Sequence, residues 1–132
     1  MTELSVESVQ VNLFCADVEA CARFYEALGL RRAFVTPPTG TPTKIEVEAA
    51  GVRIGFDAVT AANEIAALDV VAPTERSAEV ALWVDDVDGF YDRALGAGAG
   101  AIRPPMDSPD GRLRYAWVAG PEGHQLRFLR KR

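Results

Sequence analysis

The chain has 132 residues, with 48% hydrophobic and 25% charged residues and a formal net charge of -5. That suits one ordinary globular domain or two small modules sharing a core. An acidic balance argues against non-specific binding to nucleic acid or anionic membrane, and no run of about 20 apolar residues suggests a membrane span.

The N-terminus, "MTELSVESVQ", is polar and acidic, unlike a secretory leader. The first strand is expected over Val9 to Cys15. Asp17 then reads as a helix N-cap with Glu19 in the first turn. Val18, Cys21, Ala22, Tyr25 and Leu28 recur at helical spacing, and Gly29 stops the helix. Further strands are expected at Leu30 to Val35, Lys44 to Glu48 and Gly51 to Phe56. Proline pairs, Pro37-Pro38 here and Pro104-Pro105 later, are expected to end the strands before them, because proline cannot continue a central ladder. Thr60 to Ser77 reads as a linker with a short helical middle, "AANEIAAL". The pattern then starts again. Val80 to Val84 is a strand, Asp86 an N-cap, and Val87, Phe90, Tyr91 and Ala94 an apolar helix face ending at Gly98. Strands follow at Ala101 to Arg103, Arg112 to Val118 and Gly123 to Phe128.

This is an internal repeat. Aligning Asp17-Val18 on Asp86-Val87 places Gly29 on Gly98 and Gln10 on Glu79. "GVRIGF" is echoed by "GHQLRF". The chain therefore reads as one α+β domain of two βαβββ modules, 7–59 and 78–130, joined by linker 60–77. The modules are expected to pair their sheets into a curled eight-stranded cup with helices outside. Two cysteines, Cys15 and Cys21, are too few for a disulfide framework or a zinc site and read as reduced thiols of a cytoplasmic protein.

Other chemistries find little support. "GAGAG", Gly96 to Gly100, follows a helix and is not a phosphate loop. The single histidine, His124, lies in a turn before the last strand, so no nucleophile triad is evident. Asp85 and Asp86 are adjacent, with one a cap, and do not form a catalytic dyad.

The tandem modules, "VDDV" entering the second helix and the closing "PPMDSPDGRLRYAWVAGPEGHQLRF" resemble the vicinal oxygen chelate superfamily. That group includes glyoxalase I, extradiol dioxygenases, fosfomycin-resistance enzymes and bleomycin-resistance proteins. The turn "GPEG" departs from the family's usual acidic first position. The resemblance implies the cup fold. In members with a metal, it also implies ligands at the positions of Gln10, Gly55, Glu79 and Arg127. Only Gln10 and Glu79 can ligate. Gly55 has no side chain and Arg127 no acceptor. A guanidinium about 5 Å from a divalent ion would repel it by about 6–7 kcal/mol at an effective dielectric near 20. No metal and no cofactor are therefore expected, and a Glu79–Arg127 pair is expected in their place.

Strand alternation puts Ala81 and Trp83 on the face of Glu79, Asn12 and Phe14 on that of Gln10, and Arg53 and Asp57 on that of Gly55. Tyr115 and Trp117 share a face, but the sequence does not fix which. The candidate ligand-binding set is Gln10, Asn12, Arg53, Asp57, Glu79, Trp83, Tyr115, Trp117 and Arg127, a mix of aromatics and polar groups suited to a small molecule. The reading that follows is a metal-independent binding protein of the bleomycin-resistance type. It would be a homodimer, with no nucleic-acid or membrane partner, holding a planar or aromatic antibiotic or metabolite. The alternative is a glyoxalase-like lyase, isomerase or dioxygenase with a non-standard site. A carboxylate bound to a guanidinium is a poor general base, which weighs against Glu79 in that role.

Overall fold

The computed structural model describes residues 4–72 and 78–132. The last part of the expected linker, 73–77, and the first three residues of the chain lie outside the described residues.

The elements are β1 (Gln10–Cys15), α1 (Val18–Ala27), β2 (Arg31–Thr36), β3 (Lys44–Ala49), β4 (Val52–Ala58), α2 (Val59–Ala66), β5 (Glu79–Trp83), α3 (Val87–Gly96), β6 (Gly100–Asp107), β7 (Leu113–Ala119) and β8 (Gln125–Lys131). The two halves share one order of elements, with α2 between them. The helix starts follow from their caps. Asp17 Oδ1 accepts from Ala20 N at 3.0 Å, and Asp86 Oδ1 accepts from Gly89 N at 3.0 Å. Gly29 and Gly98 leave their helices at φ 101° and 102°, values that need glycine.

The strands form two four-stranded mixed sheets, ordered β1-β4-β3-β2 and β5-β8-β7-β6. This overturns the expected single curled eight-stranded cup. Among the described residues, neither sheet closes on itself and no ladder joins one to the other; there β1 pairs with β4 alone and β5 with β8 alone, in parallel, so each is an edge strand. The modules share a core by another route. Helix α1 packs on β2, β3 and β4, α3 packs on β6, β7 and β8, and the two helices touch. One buried cluster runs through both halves, from Cys15, Tyr25, Ile45 and Phe56 to Val87, Val118, Leu126 and Phe128. Burial on the helix side, rather than sheet pairing, unites the domain.

The proline pairs behave differently from each other. β2 ends at Thr36, directly before Pro37-Pro38. β6 runs through Pro104 and Pro105, with register shifts around Arg103. β6 is an edge strand, so one side of it needs no ladder donors and a bulge accommodates the missing N–H groups. The linker helix α2 lies two residues earlier than its expected apolar stretch. Among the described residues, no helix is long and apolar enough to cross a membrane.

Register assigns each strand two faces. In the first sheet Leu13, Phe56 and Ile45 lie across from one another on the helix side. Gln10 and Arg53, Asn12 and Gly55, and Glu46 with Gly55 lie on the other, open face. In the second sheet Leu126, Phe128, Ala116 and Val118 face the helix, and Glu79, Gln125, Arg127, Trp117 and Tyr115 line the open face.

Candidate functional site

The open face of the first sheet carries a charged network around Glu46, which is only 8% exposed. Gln10 Nε2 donates to Glu46 Oε2 at 3.0 Å and to Asn12 Oδ1 at 2.7 Å. Arg53 Nη1 donates to Glu46 Oε1 at 2.9 Å. Lys44 Nζ lies 3.1 Å from Asp57 Oδ1 and 3.8 Å from Glu46 Oε2. Burial opposes the charge of Glu46. The bonds from Gln10 and Arg53, with Lys44 and Arg53 as nearby cations, outweigh it and hold the carboxyl below its ordinary value. Four sequence candidates thus sit together here, namely Gln10, Asn12, Arg53 and Asp57. Glu46 and Lys44, which join them, were missed. The alternation in "KIEVE" carried the signal, since it places Lys44 and Glu46 on the face opposite Ile45 and Val47.

The second sheet repeats the arrangement with different chemistry. Arg127 Nε lies 2.7 Å from Glu79 Oε2 as an ion pair. Trp117 Nε1 and Gln125 Nε2 donate to Glu79 Oε1 at 3.2 and 2.8 Å. The guanidinium of Arg127 stands 5.7 Å over the Trp117 ring, and Tyr115 packs on Trp117 with centroids 4.7 Å apart. Tyr115 and Trp117 therefore share the face of Glu79 and Arg127. Trp83 is on the same face of β5 but stands apart from this network, 61% exposed.

Between the two sheets lies a cleft of about 480 Å³. Val11 on β1, the β3–β4 turn with Val52 and Arg53, and the whole of β5 from Glu79 to Trp83 line it. Of the nine candidates, Arg53, Glu79 and Trp83 border this cleft. The other six belong to the flanking networks.

The four positions where a metal would sit do not suit one. A Cβ on Gly55 would lie 2.2 Å from Asn12 Oδ1 and 2.9 Å from Gln10 Nε2, so those side chains fill the space of the missing ligand. Gln10 donates its amide nitrogen to Glu46 and Asn12, which leaves only its carbonyl oxygen, and Glu79 is paired with Arg127, a permanent cation at the fourth position.

A model of the Glyoxalase/Bleomycin resistance protein/Dioxygenase superfamily matches residues 8–128. The chain belongs to that superfamily. Solved structures similar to it include the hypothetical protein SA1046 from S. aureus (TM-score 0.78, 20% identity, covering 95% of this chain and 94% of that one). Others are TioX from Micromonospora sp. ML1 (0.75, 25%, 95% and 98%) and a glyoxalase-related enzyme from Fulvimarina pelagi (0.75, 26%, 95% and 88%). No curated protein matches the sequence. The open faces of both sheets here carry internally bonded Gln, Glu and Arg side chains.

A second cluster lies on the helix side. The ligand atoms of Cys15, Cys21 and His124 all fall within 4.8 Å of one another. Both cysteines are free and buried. His124 Nε2 is 3.2 Å from the carbonyl of Phe14. Its bond to Cys21 raises the histidine's pKa against the opposing effect of burial. Glu122 bridges the modules next to it, accepting from Ala16 N at 2.7 Å and Asp17 N at 2.8 Å. The sequence reading kept the cysteines and His124 apart, because more than a hundred residues separate them and only the fold brings the β7–β8 turn to the start of α1.

Proposed function

We propose that this protein binds a small planar or aromatic molecule, an antibiotic or a metabolite, in the cleft between its sheets, without a metal at the superfamily's usual position. The observation that carries the reading is Trp83. It is a large aromatic side chain, 61% exposed, on the wall of a cleft whose other contributors include Val11, Val52 and Ala81. An indole left in water beside apolar neighbours supports stacking on a flat ligand. Arg53 and Glu79 supply polar groups at the rim. Tyr115, Trp117, Arg127, Gln10, Asn12 and Asp57 support that rim from the two networks. Modules 7–59 and 78–130 act together as one binding unit.

We also propose a homodimer. The segment entering edge strand β1 leaves Leu4 (99%), Val6 (81%) and Val9 (78%) exposed, away from the cleft lining. Apolar edges of this kind favour coverage by a second copy. A cytoplasmic setting agrees with two free thiols.

The test is a titration of Trp fluorescence against a panel of planar aromatic antibiotics and metabolites, for the wild type and Trp83→Phe. A saturable change that is reduced at least tenfold in affinity by the substitution supports the reading. A flat response to the whole panel removes it.

A further inference from the structure

We propose that Cys15, Cys21 and His124 form a zinc(II) site that ties the first module to the second. Nothing in the cleft reading depends on it. β1 turns Gln10 and Asn12 to the open face and Cys15 to the helix side, so the two sites lie on opposite faces of one strand.

The donor set is chemically apt. Two sulfurs and one imidazole nitrogen are the ligands zinc takes in tetrahedral sites, where neighbouring donor atoms stand about 3.5–3.8 Å apart. Here all three atoms already fall within 4.8 Å, so closing on an ion asks for shifts of about 1 Å or less, given those bond lengths. His124 Nε2 lies 3.2 Å from the Phe14 carbonyl, and with its proton on that nitrogen the lone pair of Nδ1 is free to ligate; a backbone carbonyl is a usual outer partner of a ligating histidine. Glu122 stays outside the donor set, held by Ala16 N and Asp17 N, and water completes the tetrahedron. On binding, the two thiols release their protons to solvent. Two thiolates and a neutral imidazole then balance the dication, so no net charge is buried.

His124 is only half-buried and leaves a way in for the ion.

The experiment uses full-length, tag-free, chelator-treated and reduced protein, titrated with zinc(II) against a chromophoric chelator and, in parallel, with cobalt(II). One equivalent per chain and a thiolate-to-cobalt charge-transfer band are expected. Loss of an outer-shell partner alone weakens a metal site about 10–100-fold, so Cys21→Ala and His124→Gln are expected to weaken binding by at least that much. Should Cys21→Ala fail to fold, His124→Gln decides. Because the ligands come from both modules, zinc at a hundredfold excess over Kd should raise Tm by roughly 10 °C. Absence of stoichiometric binding in the reduced wild type overturns the proposal. So does unchanged affinity in both Cys21→Ala and His124→Gln.

Discussion

Removing the carboxylate of Glu79 tests whether the second sheet's open face is held rigid before any ligand arrives. Glu79 accepts from Trp117 and Gln125 through one oxygen and faces Arg127 at 2.7 Å through the other. At that distance the gross attraction is about 6 kcal/mol at an effective dielectric near 20. The side chains are 24% and 31% exposed, so desolvation and solvent screening leave a net of about 1–2 kcal/mol. Glu79→Gln keeps an oxygen for Trp117 and Gln125 and loses only the charge, so it should cost about 1–2 kcal/mol. Glu79→Ala also orphans two donors and a guanidinium, and should cost about 2–4 kcal/mol. In a chain of 132 residues, 1 kcal/mol moves Tm by about 3–4 °C, so the two variants should melt about 3–8 °C and about 6–16 °C below the wild type. Urea melts of Glu79→Ala, Arg127→Ala and the double variant give the coupling directly. A coupling of about 1–2 kcal/mol is expected. If Glu79→Ala melts within about 1 °C of the wild type, the pair contributes nothing, and it does not hold the face in place.

Trp83→Ala should abolish the fluorescence response to an aromatic ligand, while Trp117→Phe, which alters a ring already engaged by Glu79 and Arg127, should keep the ligand and lower stability by about 1–2 kcal/mol. Glu46 has a depressed pKa in the folded chain, so the unfolded chain takes up its proton first as pH falls. Its contribution is therefore complete above the ordinary carboxyl value of 4.5 and drains away as pH drops through the lower folded value. Glu46→Gln should flatten the acid side of a Tm–pH profile below about pH 5, with little change in shape above it. Gly55→Ala should destabilise by about 1–3 kcal/mol, because its Cβ would lie 2.2 Å from Asn12 Oδ1, and Asn12→Ala in the same chain should recover most of that loss in a thermal melt.

Local order and face assignment were readable in the sequence wherever they depend on near neighbours. Asp17 and Asp86 cap the helices, and the Gln10–Glu79 and Gly55–Arg127 correspondences agree with the observed register, in which Asn12 opposes Gly55 and Ala81 opposes Arg127. Tyr115 and Trp117 are ambiguous in the sequence because both faces of β7 carry apolar side chains, Ala116 and Val118 on the other; the ladder with β8 decides it, setting Trp117 across from Arg127. The arrangement of the two sheets was not readable. A repeated module says that two sheets exist, but not whether their edges meet. That depends on how α1 and α3 pack, a matter of long-range contacts. Glu46 escaped notice for a related reason. A glutamate in "KIEVE" reads as a solvated strand residue until Gln10 and Arg53, far from it in the chain, are seen to enclose it.

The bonding on the open face also bears on what the cleft can hold. Gln10, Asn12, Glu46 and Arg53 bond to one another, as do Glu79, Gln125, Trp117 and Arg127. A strongly charged ligand would have to break one of these sets, and each break leaves a half-buried charge without its partner. A neutral flat ligand breaks none. It covers Val11, Val52 and Trp83, the apolar surface now in water, and meets polar groups whose bonds are already made. The same reasoning sets the salt response. Affinity for the correct ligand class should change less than about twofold between low and moderate ionic strength, since no exposed ion pair forms on binding. A steep loss of affinity with added salt would mean that Arg53 or Arg127 leaves its carboxylate to meet an anion, and that the cleft selects for charge rather than for an aromatic face.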